Sequence, residues 1–285
     1  MNFPFYIARR YLFSKKKHNA INIISGISVC GVALATLALV CTLSVFNGFQ
    51  DMVASFFTAF DPQLKITVRE GKVFDAQDER IRAVCELPEV EVFTETLEEN
   101  AMVQYKDRQA MVVLKGVEDN FEELTAIDSI LYGAGEFVLH DSIVNYGVMG
   151  VELVATLGTG LEFVDPLQIY LPKRNAKVNM ANPGASFNRD YLYSPGVVFV
   201  VNQQEYDGKY ILTSLDFLRQ LLDYTTEVSA MELKLKSNVN TSSVQSKIEN
   251  ILGDDFVVQN RYQQQADIFR VMEIEKLISY LFLTF

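Results

Sequence analysis

The chain has 285 residues, 49% of them hydrophobic, with 25 basic and 36 acidic side chains, two histidines and three cysteines, giving a formal charge of −11. This acidic balance argues against nucleic-acid binding, and the composition suits a folded domain accompanied by one or two membrane spans. Cys30 and Cys41 lie in an apolar stretch far from Cys85, so no intrachain disulfide is expected.

The positive charge is concentrated at the start. Residues 1–20, MNFPFYIARRYLFSKKKHNA, hold Arg9, Arg10, Lys15, Lys16 and Lys17 and no acid. Phe3, Phe5, Tyr6, Ile7, Tyr11 and Leu12 interleave with these cations. The pattern predicts a short interfacial helix on the cytoplasmic surface, with aromatic rings at the acyl boundary and cations at lipid phosphates.

From His18 to Gln50 no residue is charged. As a helix, Asn22 to Phe49 would run about 42 Å, against roughly 30 Å of bilayer hydrocarbon. A secretory signal has an apolar core of only ~7–15 residues. A lipoprotein signal needs a small residue before its cysteine, whereas Val29 and Val40 precede Cys30 and Cys41. The stretch therefore predicts a transmembrane helix over 21–49, crossing outward from a cytoplasmic N-terminus. Ser28, Gly31, Ala35, Ala38 and Thr42 recur every three or four residues and form a small-residue stripe. Such stripes allow close helix packing in lipid, so further helices are expected beside this one.

Residues 50–270 read as an extracytoplasmic α+β domain. Strands are expected at 63–68, 166–172, 196–203, 228–236 and 255–259. The stretch 90–117 is strand-rich, with YKDRQ as a hairpin turn. Helices are expected at 75–87, 120–132, 141–157, over SLDFLRQLL and over TSSVQSKIENIL. Residues 173–196 read as one long loop, and loops of that length inside a compact domain are usually functional or disordered. The strand–helix–strand pattern recurs at both ends of the block. That predicts two lobes: a membrane-proximal one from both ends, and a distal insertion over 95–200. Residues 271–285 read as the start of a second transmembrane helix in a longer chain.

Signals of catalysis are scarce. His18 and His140 have no paired spacing, and HExxH, CxxC, GxSxG and a phosphate-binding glycine loop are all missing from the sequence. The neighbouring acids Glu98-Glu99, Glu122-Glu123 and Asp254-Asp255 read as solvated faces. The chain is expected to have no catalytic residues, no metal and no cofactor of its own.

Against this background ISGISVCGVALATLALVCTLSVFNGF (24–49) resembles the first span of the lipoprotein-releasing ABC permeases of the LolC/LolE type, down to its Ser44–Phe49 ending. IARRYLFSKK (7–16), GVVFVVNQQEYDGKYILTSLDFLRQLL, VSAMELKL and ADIFRVMEIEKLISYLFL resemble the same family in the same order. The resemblance implies a multi-pass permease of the bacterial inner membrane with a periplasmic domain. It implies a like or unlike second permease subunit and a pair of cytoplasmic ATPase subunits that bind the ATP. The substrate would be a lipoprotein, its acyl chains received by Val40, Leu43, Phe46 and Phe49. A periplasmic carrier would be hooked by the 173–196 loop, with Asn182, Pro183, Phe187 and Tyr191 as candidate contacts. Other readings are a MacB-like mechanotransmitting exporter, an FtsX-like signalling permease and, from a different class, a bitopic receptor or adhesion domain.

Overall fold

The computed structural model describes residues 3–12, 19–55, 60–174 and 186–264, with residues 274 and 277. The chain divides into two compact units, Met1–Phe56 with Asp267–Phe285, and Phe57–Ala266.

In the first unit, α1 (Phe3–Leu12) is followed by α2 (Asn19–Ser55), a helix of 37 residues. Its segment Ile23–Val45 is long and apolar enough to cross a membrane. The hydroxyls of Ser28, Thr36 and Thr42 donate to the carbonyls of Ile24, Val32 and Ala38 at 3.0, 2.8 and 2.9 Å. Polar side chains are thereby satisfied within the helix, as an apolar surrounding demands. The expected second span over 271–285 lies outside the described residues apart from Ile274 and Leu277, both exposed.

The second unit opens with β1 (Leu64–Val68), which alternates buried Leu64 and Ile66 with half-buried Lys65 and Thr67. Then come β2 (Phe74–Asp75) and α3 (Glu79–Cys85), whose first turn is capped by the Asp78 carboxylate accepting from the Arg80 amide. A long hairpin follows, β3 (Val90–Tyr105) and β4 (Arg108–Val117), turning where Lys106 takes φ 52°. The helix expected over 120–132 is broken into α4 (Phe121–Leu124), a 3-10 turn at Ile127–Ile130 and β5 (Leu131–Gly133). Likewise, after β6 (Val148–Met149) only Val151–Leu157 of the expected 141–157 helix forms, as α5. The Asp141 carboxylate accepts from the amides of Ile143 and Val144 at 2.6 and 2.8 Å, a local turn that competes with helix.

The expected 173–196 loop is also corrected. β7 (Leu167–Pro172) and β8 (Phe187–Leu192) pair antiparallel from Leu167↔Leu192 to Pro172↔Phe187, so 187–192 is strand where loop was expected. Next are β9 (Val197–Phe199), α6 (Gln204–Asp207), β10 (Tyr210–Ser214) and α7 (Leu215–Leu222), the last capped by the Ser214 hydroxyl. The unit closes with β11 (Glu227–Val228), β12 (Ala230–Leu235), α8 (Thr241–Leu252), β13 (Phe256–Asn260) and α9 (Arg261–Gln264).

The main sheet runs β13-β1-β12-β3-β4-β10-β6, and β7 joins β3 beyond the end of β12 and carries β8 on its other side. Helices α3 and α8 cover one face over Leu64, Ile66, Met231 and Leu233. α5 and α7 cover the continuation of that face over Leu97, Val103, Leu114 and Ile169. The two lobes expected from the sequence, divided at 95 and 200, both lie within the unit 57–266. The sixteen-residue β3 crosses the first boundary, and the buried face of α7, beyond the second, packs with Leu97 and Leu192.

Candidate functional site

Three regions hold the residues singled out from the sequence. On α2, Val40 and Leu43 lie one helical turn apart and are 54% and 50% exposed. Phe46 and Phe49 belong to the same helix, but their side chains fall outside the described residues. In the stripe, Ser28, Gly31, Ala35 and Ala38 are exposed and Thr42 is half-buried; a methyl built on Gly31 would meet nothing within 4 Å. Arg9 and Arg10 end the exposed helix α1, whereas Lys15, Lys16 and Lys17 lie outside the described residues.

The second region is the hairpin β7–β8. Asn182 and Pro183 fall in its tip, outside the described residues, but Phe187 and Tyr191 stand on β8 itself. Strand register then shows what accompanies them. Met111, Met102, Tyr170 and Arg189 form one row across β4, β3, β7 and β8. Gln109, Gln104, Gln168 and Tyr191 form the next. Side chains alternate across a strand, so both rows share the face opposite the buried Val103, Val112 and Ile169. Met111 is 68% exposed and Tyr191 40%. Within the rows the Gln109 amide donates to Gln104 at 3.2 Å and the Tyr170 hydroxyl to Gln168 at 2.8 Å. This open surface of thioether, amide and phenol groups carries a single charge, Arg189. Phe187 and Tyr191 were expected in a loop and stand instead on a strand, beside β3–β4 rows not singled out from the sequence. Their signal was the alternation Asn100, Met102, Gln104 against Ala101, Val103, Tyr105.

Toward the other end of the same strands this face is buried and charged. Lys65, Glu232, Glu98 and Lys115 sit on β1, β12, β3 and β4. Lys115 Nζ lies 2.6 Å from Glu232 Oε1 and 3.6 Å from Glu98 Oε1. Lys65 Nζ is 3.2 Å from Glu98 and 4.0 Å from Glu232. Burial opposes ionisation of Glu98, but Lys65 and Lys115 overcome it and hold its pKa at about 2. Burial likewise works against the Lys65 ammonium, and Glu98 and Glu232 raise its pKa regardless. Rings of Phe121 and Phe60 lie 5.6 and 6.0 Å from Lys115 Nζ. Glu98 was expected on a solvated face with Glu99; instead it belongs to this ionic quartet, while Glu99 points the other way.

A cavity of about 400 Å³ beside the end of β4 is lined by Glu118, Asp119, His140, Ser214, Asp216 and Arg219, among others. His140 Nε2 is 3.0 Å from Asp119 Oδ1, but the Ser214 hydroxyl is engaged as the cap of α7. Arg219 is paired with Glu95 at 2.6 Å. Among the described residues no group of three metal-ligating side chains is gathered.

Comparison with known proteins supplies the family. The lipoprotein-releasing system transmembrane protein LolC of Xylella fastidiosa (strain Temecula1) is 22% identical over 95% of this chain and 63% of its own. The corresponding LolE of Haemophilus influenzae is 22% identical over 99% of this chain and 66% of its own. The chain thus spans a little under two thirds of the length of these relatives. The crystal structure of the periplasmic region of MacB from Actinobacillus actinomycetemcomitans aligns with a TM-score of 0.47 and 11% identity, over 72% of this chain and 91% of that one. The extracellular domain of the noncanonic ABC-type transporter YknZ aligns with a TM-score of 0.45 and 10% identity, over 69% and 99%. Residues 25–251, well over half of the sequence, match the MacB-like periplasmic core domain, and the chain belongs to that family.

Proposed function

We propose that the chain is part of a permease subunit of an ATP-driven transporter that releases lipoproteins from the bacterial inner membrane toward a periplasmic carrier. The observation that carries this reading is the near-complete alignment of the chain with relatives named for lipoprotein release, span and domain together. On this reading the subunit has no nucleotide site of its own. A cytoplasmic ATPase dimer supplies the energy, and a second permease subunit completes the membrane part.

The chemistry of the chain fits the role. Each acyl CH₂ buried in lipid contributes ~0.8 kcal/mol, so a multiply acylated protein does not leave a bilayer unaided. Val40 and Leu43 offer an apolar surface of α2 to acyl chains, with Phe46 and Phe49 one and two turns further on. Ser28, Gly31, Ala35, Ala38 and Thr42 let neighbouring helices shift while staying packed. The open β4–β3–β7–β8 face, with Asn182 and Pro183 between β7 and β8 in the sequence, is the docking surface for the carrier. Its low charge and its exposed methionine and tyrosine match the composition of recognition surfaces.

The matched family is described as a MacB-like periplasmic core domain, which raises a second reading: an exporter whose spans carry motion but no substrate. Photocrosslinking separates the two. A photoreactive residue at position 40 should capture lipoprotein, and one at position 182 should capture a soluble periplasmic carrier. Capture of neither in an actively hydrolysing transporter refutes lipoprotein release.

A further inference from the structure

The domain 57–266 receives the chain just before β1 and returns it just after β13, and Leu64 pairs with Asn260 at that point. β13 is an edge strand, and a bare edge ladder frays from its end. Here the two flanking segments are bonded to each other outside the ladder. Arg261 Nε donates to the Asp61 carbonyl at 3.0 Å, and Gln264 Nε2 to the Pro62 carbonyl at 3.1 Å. The Asp61 side chain in turn accepts from the Tyr206 hydroxyl of α6 at 3.0 Å. Phe60, buried to 3% exposure, stacks on Tyr206 with centroids 5.1 Å apart and packs 4.7 Å from Phe199.

The outgoing side is locked by side-chain amides. Gln245 Nε2, from α8, donates to the Val258 carbonyl at 3.0 Å and to Gln263 Oε1 at 2.9 Å. Asn260 Nδ2 donates to Gln245 Oε1 at 3.0 Å, and the Asn260 amide to Gln263 Oε1 at 3.0 Å. These bonds occupy backbone groups on the outer edge of β13, which would otherwise be open to water or to another strand.

We infer that Phe60, Asp61, Tyr206, Arg261 and the Gln245–Asn260–Gln263 amide network form a clamp that makes the incoming and outgoing segments one rigid body. A displacement of either flanking segment then moves the whole sheet instead of peeling β1 from β13. The clamp's use in transport rests on the permease function proposed above; the clamp itself does not.

Hydrogen exchange on the full chain in lipid nanodiscs tests it. In a Tyr206→Phe/Arg261→Ala variant, exchange in peptides covering 60–68 and 256–264 should rise on the order of tenfold, with peptides from 97–114 unchanged. A Gln245→Ala variant should raise exchange at 256–264 by a similar factor. Arg261→Lys, which restores a donor, should recover part of the protection. Unchanged exchange at both ends overturns the clamp, and so does an equal rise across 97–114, which would mark these residues as ordinary core. A wild-type chain that releases no lipoprotein would count against the permease function alone, because the exchange result decides the clamp without it.

Discussion

One face of strand β3 has two very different halves. From Thr94 to Glu98 it is buried against Phe60 and Phe121 and carries the Lys65–Glu98–Lys115–Glu232 quartet. From Asn100 to Gln104 the same face opens into rows of glutamine, methionine and tyrosine with one charge. The strand is continuous, so what differs is covering, not secondary structure. Charge is placed where opposite charges surround it, and the open half is left nearly neutral. The first half joins side chains of four strands through opposite charges; the second leaves its side chains exposed.

The sharpest way to break this contrast is to unpair the buried half. Lys115→Met should cost about 3–5 kcal/mol, because Glu232, fully buried, is left without its nearest cation. Lys115→Met combined with Glu232→Leu should recover most of that loss, since apolar groups of similar volume replace a buried pair nearly neutrally. Denaturant unfolding of the two variants side by side gives the comparison.

Acid should separate the halves next. The Glu98 carboxyl, with its pKa near 2, stays ionised in the fold well below the 4.5 of an unperturbed glutamate. Its stabilisation is fully present above about pH 4.5 and is lost as pH falls toward 2. Unfolding midpoints measured across that window should drop in the parent and drop less in Glu98→Gln. An equal drop in both would remove Glu98 from the account.

Substitutions in the open half should act on docking and not on stability. Tyr191→Ala and Met111→Lys should weaken capture of a periplasmic carrier by about tenfold or more, as for central interface residues. Each should change domain stability by no more than about 0.5 kcal/mol, the usual range for surface positions. The smallest effect is expected at Gln109, whose side-chain amide is already engaged with Gln104. Gln109→Ala should leave stability unchanged within error and reduce capture only slightly, so a large effect there would make the Gln109–Gln104 pair part of the docking surface.

These contrasts were unevenly legible in the sequence. Helix α2 could be read directly, because an uncharged run longer than a bilayer is a one-dimensional signal. Local alternation likewise placed β1, β7, β12 and β13, and Lys106-Asp107 marked the hairpin turn. Failures came where side chains of distant strands decide. Glu98 reads like Glu99 until β1, β4 and β12 bring Lys65, Lys115 and Glu232 beside it. Phe187–Leu192 has exposed Arg189 and Asp190 at its centre, so it reads as loop although pairing with β7 makes it a strand. Asp141 and Gly150 cut short the helix expected at 141, through a turn whose partners are backbone amides. The clamp was hidden for the same reason, since Asp61 and Arg261 are 200 positions apart.

The central claim is most directly tested by ATP-dependent release of a triacylated lipoprotein from proteoliposomes holding the full-length permease, its partner permease and the ATPase, with a carrier outside. The account predicts release by the parent, and loss of release in Leu43→Asp with subunit assembly and ATP hydrolysis retained. Release by Leu43→Asp at the parental rate would contradict it.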